Sequence, residues 1–286
     1  MEKLLKADID SKNWISIYIY YLDDITLGLM YVRRLIINQF DNIERWFFIR
    51  YFDDGIHIRL RVLFKSNVSN RKKVLFINSI ENLTKFKRLQ ITNIKLIAYL
   101  PETKRYGGER LLNYAEEHFK LSSENYLSKL TKKGYDKRLE ELIVLNLIIL
   151  TAFGLNVDEI NSLNYKMYNY WLPGFNYFFP KIKNPEVYFR NKITKDNKIW
   201  IYMFQKIIEN DINNNIKLKN WYNVNNILAN KYYRFISKKE LLNHKKYNNI
   251  LPSLIHMNNN RFGITNYEEA YIFYITYYIT SKFKTS

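Results

Sequence analysis

With 286 residues, 47% of them hydrophobic and 25% charged, the chain can bury a substantial core and has the balance of a globular protein. It has no cysteine, which excludes disulfides, thiolate metal sites and cysteine nucleophiles. Its formal net charge of +18 favours an acidic or polyanionic partner, yet zinc-finger and RNP-type signatures are missing, so direct nucleic-acid recognition is not expected.

Residues 1–8 contain acidic side chains and no apolar stretch of the kind a secretory signal needs. No uncharged apolar run reaches spanning length, so the expectation is a cytoplasmic protein with no membrane partner. Residues 14–21, Trp-Ile-Ser-Ile-Tyr-Ile-Tyr-Tyr, are β-branched or aromatic almost throughout and predict a strand. Helical spacing of apolar residues predicts a helix over 24–40, and 45–51 predict a second strand. Asp53-Asp54-Gly55 is turn chemistry, which makes a hairpin with a strand over 56–64. A helix over 71–84 and a strand over 91–100 follow.

Beyond Pro101 the pattern becomes helical. Helices are expected over 109–119, 124–130, 137–153, 200–209, 239–246 and 267–283. The aromatic stretch 165–189 is interrupted by Pro173, Gly174, Pro180 and Pro185, and is expected to be irregular. Asn213-Asn214-Asn215 reads as a loop tip. The resulting expectation is one α+β domain over residues 1–286. An antiparallel sheet lies in the N-terminal half with helices packed on it, and the C-terminal half is helix-rich.

Three places put charge where a packed core would not choose it. Alternation along 56–64 sets His57, Arg59 and Arg61 on one strand face, roughly 6.6 Å apart, opposite Ile58, Leu60 and Val62. Such a face suits either solvent or a carboxylate or phosphate. The segment Pro101-Glu102-Thr103-Lys104-Arg105-Tyr106-Gly107-Gly108 ends a strand and opens a helix. Glu102 there can orient Arg105 for an anion, or the two can simply brace a turn. His256 precedes Asn258-Asn259-Asn260-Arg261, which reads as a loop; histidine suits proton transfer near neutral pH, although a lone histidine is more often structural. His118, in a helix, and His244, among lysines, are weaker candidates.

Arg-Trp-Phe-Phe-Ile-Arg-Tyr, His-x-Arg-x-Arg, Glu-x-x-Arg-Tyr-Gly-Gly with Ala115 to Phe119 behind it, and His-Met-x-x-Asn-Arg occur here in that order. The set resembles the C-terminal elimination domain of lanthipeptide dehydratases and the small stand-alone proteins of thiopeptide biosynthesis. The resemblance is clearest over 14–130 and 253–263. It implies removal of glutamate from glutamylated Ser or Thr of a precursor peptide, leaving dehydroalanine or dehydrobutyrine. It carries functional roles onto Arg59, Arg61, Glu102, Arg105 and His256, with no cofactor and no metal. The same family includes pyridine synthases, which join two dehydroalanines in a formal aza-[4+2] cycloaddition and release the leader peptide. These generally lack the elimination arginines, so the residues present favour elimination. The implied partners are a precursor peptide with an acidic leader and a separate, tRNA-dependent glutamylating protein.

Overall fold

The computed structural model describes residues 14–130, 138–193, 197–209, 211–212, 214–242 and 250–285. The chain forms two compact units. One consists of the described residues within 1–103 and 115–136, the other of those within 104–114 and 137–286.

The first unit is built on an antiparallel sheet of β1 (Trp14–Tyr21), β2 (Ile43–Tyr51), β3 (His57–Phe64) and β4 (Ile91–Leu96), in the order β2-β3-β1-β4. As expected, β2 and β3 make a hairpin, and its turn puts Asp54 and Gly55 at φ +58° and +93°. One sheet face carries Ile15, Ile17, Ile19, Ile58, Leu60 and Val62, all buried. Two helices bring their own buried stripes: α1 (Thr26–Asn38) with Leu29, Val32 and Ile36, and α2 (Asn70–Glu81) with Phe76, Ile77 and Ile80. Phe64 and Phe76 meet edge to face at 5.6 Å.

The helix α3 (Glu109–Lys129) is continuous where the sequence suggested two pieces. From Ala115 onward it belongs to the sheet unit and closes the β2 edge. Ser123 Oγ accepts a hydrogen bond from the Phe48 backbone N–H, and Phe47 and Phe119 pack at 5.2 Å. A side chain on a helix thus satisfies an edge donor that would otherwise be open to another strand.

Among the described residues the second unit is helical. It comprises α4 (Arg138–Ala152), α5 (Val157–Phe178), α6 (Pro185–Ile193), α7 (Asn197–Ile208), α8 (Ile216–Tyr233), α9 (Lys238–Leu242), α10 (Ile250–Arg261) and α11 (Asn266–Ser281). Almost every side chain of α4 from Leu142 to Ala152 is buried, so it is the core helix its apolar sequence predicts. Gly154, at φ +69°, ends it, with Leu155 N–H returning to the Leu150 carbonyl. Capping boxes start α5 (Asn156 with Glu159) and α11 (Thr265 with Glu268). Asn161 ties these two helices together by donating to the Tyr277 carbonyl and Thr280 Oγ1.

Two expectations change here. The stretch 165–189 is not irregular: α5 runs through Pro173 to Phe178, and α6 follows. Proline costs a helix the bond to the carbonyl four residues back. That carbonyl belongs to Asn169, and both residues are exposed, so water can take the bond. Residues 256–261 are not a loop but the end of α10. Asparagine disfavours helix interiors because it bonds to nearby backbone. Asn258 and Asn259 instead donate to side chains on α4 and α11, which removes that competition.

Candidate functional site

In the first unit the pairing of β3 sets the stage. Tyr20, Tyr18 and Ser16 of β1 lie beside His57, Arg59 and Arg61, and Tyr51, Ile49 and Phe47 of β2 flank them on the other side. This is no solvated face, since His57 and Arg61 are 1% and 5% exposed. Arg61 Nη1 donates to Ser16 Oγ, and the guanidinium carbon lies 5.2 Å from both the Tyr18 and Tyr99 ring centres. Its Nε is buried without a hydrogen-bond partner. Burial pulls the Arg61 pKa below its ordinary value, opposed by a hydrogen bond and charge interaction with Tyr18. Guanidinium nevertheless stays a cation in proteins.

Arg59 is held by a different device. Its guanidinium carbon sits 3.3 Å above the Tyr51 ring and 4.7 Å from Tyr18, and its Nε donates to His57 Nε2 at 3.2 Å. His57 Nδ1 lies 2.8 Å from the Gly55 carbonyl oxygen. A carbonyl only accepts, so Nδ1 carries the hydrogen and Nε2 offers its lone pair to Arg59. Both ring nitrogens are therefore in use, and His57 orients an arginine rather than moving a proton. Burial lowers its pKa, against the pull of the Gly55 hydrogen bond. Neither Arg59 nor Arg61 forms an ion pair among the described residues; their partners are hydroxyl, imidazole and ring faces. Glu102, the remaining candidate of this unit, is exposed beyond β4.

In the second unit Arg105 stands in the single turn Thr103–Tyr106, and its Nε donates to Ser253 Oγ on α10 at 3.0 Å. Ser253 and His256 are three residues apart on that helix, hence neighbours on one face. Two candidates 151 positions apart in sequence thus reach the same stretch of α10 (256 minus 105). His256 stacks on Trp171, ring centres 5.1 Å apart at 23°, and its Nδ1 is 2.8 Å from Glu269 Oε2. Glu269 is 1% exposed, and its other oxygen accepts from Asn259 Nδ2 at 2.8 Å. Among the described residues His256 Nε2 has no hydrogen-bond partner. Gly107 serves packing, because a Cβ there would stand 2.5 Å from Leu111 Cδ1 and 3.0 Å from Ile250 Cδ1; beside Gly108 there is open space.

Of the weaker candidates, His118 is fully buried in α3, and His244 lies outside the described residues, as do 243–246 of the helix expected over 239–246. No group of His, Asp and Glu among the described residues is placed to hold a metal ion, and no described helix is long and apolar enough to cross a membrane. Sequence reasoning passed over Ser253, Trp171 and Glu269. For Glu269 a signal existed, since it falls on the buried stripe of α11 that continues through Ile272, Phe273, Thr276 and Thr280.

No curated protein sequence matches the chain. Among solved structures the fold is similar to the tRNA-dependent lantibiotic dehydratase MibB from Microbispora sp. 107891, with 17% identity and a TM-score of 0.66 over 95% of this chain; the chain spans 28% of MibB. It is similar to TbtD, the pyridine synthase of thiomuracin biosynthesis, at 12% identity and a TM-score of 0.64, covering 94% of this chain and 98% of TbtD. It is also similar to TsrL, at 11% identity and a TM-score of 0.61, covering 96% and 95%. The family described as "Lantibiotic biosynthesis dehydratase C-term" matches residues 14–279, nearly the full length of the sheet and helical units just described. The chain belongs to the lantibiotic dehydratase C-terminal family.

Proposed function

We propose that this member of a family of peptide-modifying biosynthetic enzymes eliminates glutamate from glutamylated Ser or Thr of a precursor peptide. The observation that carries the reading is the uncompensated charge of Arg59 and Arg61, two oriented guanidinium groups whose partners are all neutral. Elimination expels a carboxylate and builds enolate-like charge on a peptide carbonyl, and fixed cations stabilise both. Ring formation from two dehydroalanines expels no carboxylate and has less use for them. His256 Nε2 takes the α-proton, the C–H electron pair becomes the Cα=Cβ bond, and the Cβ–O bond breaks. Glutamate leaves as a carboxylate, and the proton stays on the imidazole until solvent removes it. Arg105 binds a carboxylate of the glutamyl group, with Glu102 in the orienting part that the resemblance gives it. Another protein makes the glutamyl ester, and an acidic leader brings the peptide to the basic surface.

The second reading, pyridine synthesis, is favoured by the near-complete mutual coverage with TbtD. One experiment separates the two. The protein is offered a glutamylated precursor and, in parallel, a dehydrated azole-containing peptide, and products are weighed by mass spectrometry. The expected outcome is free glutamate with a dehydrated peptide from the first and no reaction with the second. His256→Ala should lower that release by about 10²–10⁴. Consumption of the second substrate alone, with release of its leader, would sink the elimination reading. If the wild type and His256→Ala gave equal output in a full pathway, the protein would be a recruiting subunit.

A further inference from the structure

The hydrogen bonds behind His256 run in one direction. Asn258 Nδ2 donates to Asn146 Oδ1 at 3.1 Å, Asn146 Nδ2 donates to Asn259 Oδ1 at 2.8 Å, and Asn259 Nδ2 donates to Glu269 Oε1 at 2.8 Å. Glu269 Oε2 then meets His256 Nδ1. Taken singly, an asparagine amide fits either way round, because its oxygen and nitrogen have nearly the same shape. The carboxylate removes that choice. It has no hydrogen to give, so Asn259 must turn its NH2 toward it. The Asn259 oxygen then faces Asn146, which must present its own NH2, and the Asn146 oxygen needs that of Asn258. The same carboxylate requires a hydrogen on His256 Nδ1. Asn146, Asn258, Asn259 and Glu269 are all buried, so bulk water is not at hand to reverse a link.

Free neutral histidine favours the opposite form, with its hydrogen on Nε2, which could not accept a proton there. We infer that Glu269, backed by the Asn259–Asn146–Asn258 ladder, is a positioning residue that holds His256 as the Nδ1–H tautomer and so leaves Nε2 as the basic atom. The stack on Trp171 holds the ring plane, and Glu269 holds the edge. Four helices, α4, α5, α10 and α11, thus set the chemistry of one nitrogen. That Nε2 works on a glutamylated peptide rests on the proposed elimination; the tautomer itself does not.

The substitution that isolates the effect is Glu269→Gln, which keeps the shape. The glutamine oxygen facing Asn259 still accepts, while its NH2 faces His256 and donates to Nδ1. The ring must then move its hydrogen to Nε2. Nitrogen-15 NMR of ring-labelled histidine at about pH 9, above the ordinary imidazole range, reads the tautomer directly. A His256→Gln spectrum identifies the signal among the four histidines. The expected result is Nδ1–H in the wild type and Nε2–H in Glu269→Gln. With glutamylated peptide, glutamate release by the variant should fall by about 10²–10⁴ while KM changes little, the cost that a wrong tautomer imposes on a carboxylate–histidine pair. An Nε2–H signal in the wild type, or Nδ1–H kept in the variant, overturns the inference. The wild-type spectrum decides alone if the variant does not fold. If the tautomer reverses as expected but the wild type releases no glutamate, the elimination reading fails and the role of Glu269 in fixing the ring stands.

Discussion

At the scale of residues, the first unit spends a histidine on aiming an arginine. Because both nitrogens of His57 are engaged while it is neutral, protonation would put a hydrogen on Nε2, opposing the Arg59 Nε–H and adding a second positive charge. Its folded-state pKa is depressed, chiefly by burial, below the ordinary 6.5. The unfolded chain therefore binds the proton first on acidification. The contribution of His57 is full above pH 6.5 and is lost as pH falls through that value toward the folded pKa. Urea denaturation at a series of pH values should show wild type losing stability below pH 6.5 more steeply than His57→Gln; parallel curves would mean that His57 is not held neutral. The arginines and His256 could be singled out as candidates because charge on a strand face or near Asn-rich sequence stands out from core patterning, while their roles came from the family resemblance. Glu269 was passed over. One acidic residue beside Glu268 at a helix start reads as dipole compensation, and that reading hid its place on the buried stripe; in the fold the two separate, with Glu268 capping Thr265 and Glu269 turned inward. Ser253 carried no signal, because its partner is 148 residues away.

At the scale of elements, the turn into α3 shows how two adjacent glycines differ. Gly107 and Gly108 both sit at positive φ, +90° and +93°. Gly108→Ala meets nothing and should cost only the left-handed strain, about 1–2 kcal/mol. Gly107→Ala adds a clash with Leu111 and Ile250 and should lower the melting temperature further, as calorimetry of the two variants would show. Equal melting temperatures would mean that the turn relaxes around the new methyl. The sheet was legible in the sequence, strand by strand, because period-two alternation and the Asp-Asp-Gly turn are local signals. Helix α8 was not. Its buried stripe is Trp221, Asn225, Leu228 and Tyr232, and the asparagine breaks the apolar pattern while its side chain bonds back to the Trp221 carbonyl. The helix through Pro173 was hidden for the opposite reason, since a strong local breaker was overruled by what the rest of α5 buries, from Ile160 through Tyr168 to Phe175.

At the scale of the whole molecule, a net charge of +18 on 286 residues acts beyond any one contact. If an acidic leader is drawn to it, affinity should fall steadily with salt, as the screening length shrinks from about 8 Å at 0.15 M to about 3 Å at 1 M. A titration of leader peptide that ignores salt would mean docking through apolar contacts instead. The stack of Trp171 on His256 carries a different consequence, an optical one. An excited indole gives up an electron readily to a neighbouring imidazolium and far less to neutral imidazole, so the charge on His256 is written into the brightness of Trp171. Of the five tryptophans, Trp171 is therefore the one whose emission should change when its imidazole neighbour is replaced, as fluorescence of wild type and His256→Gln would show.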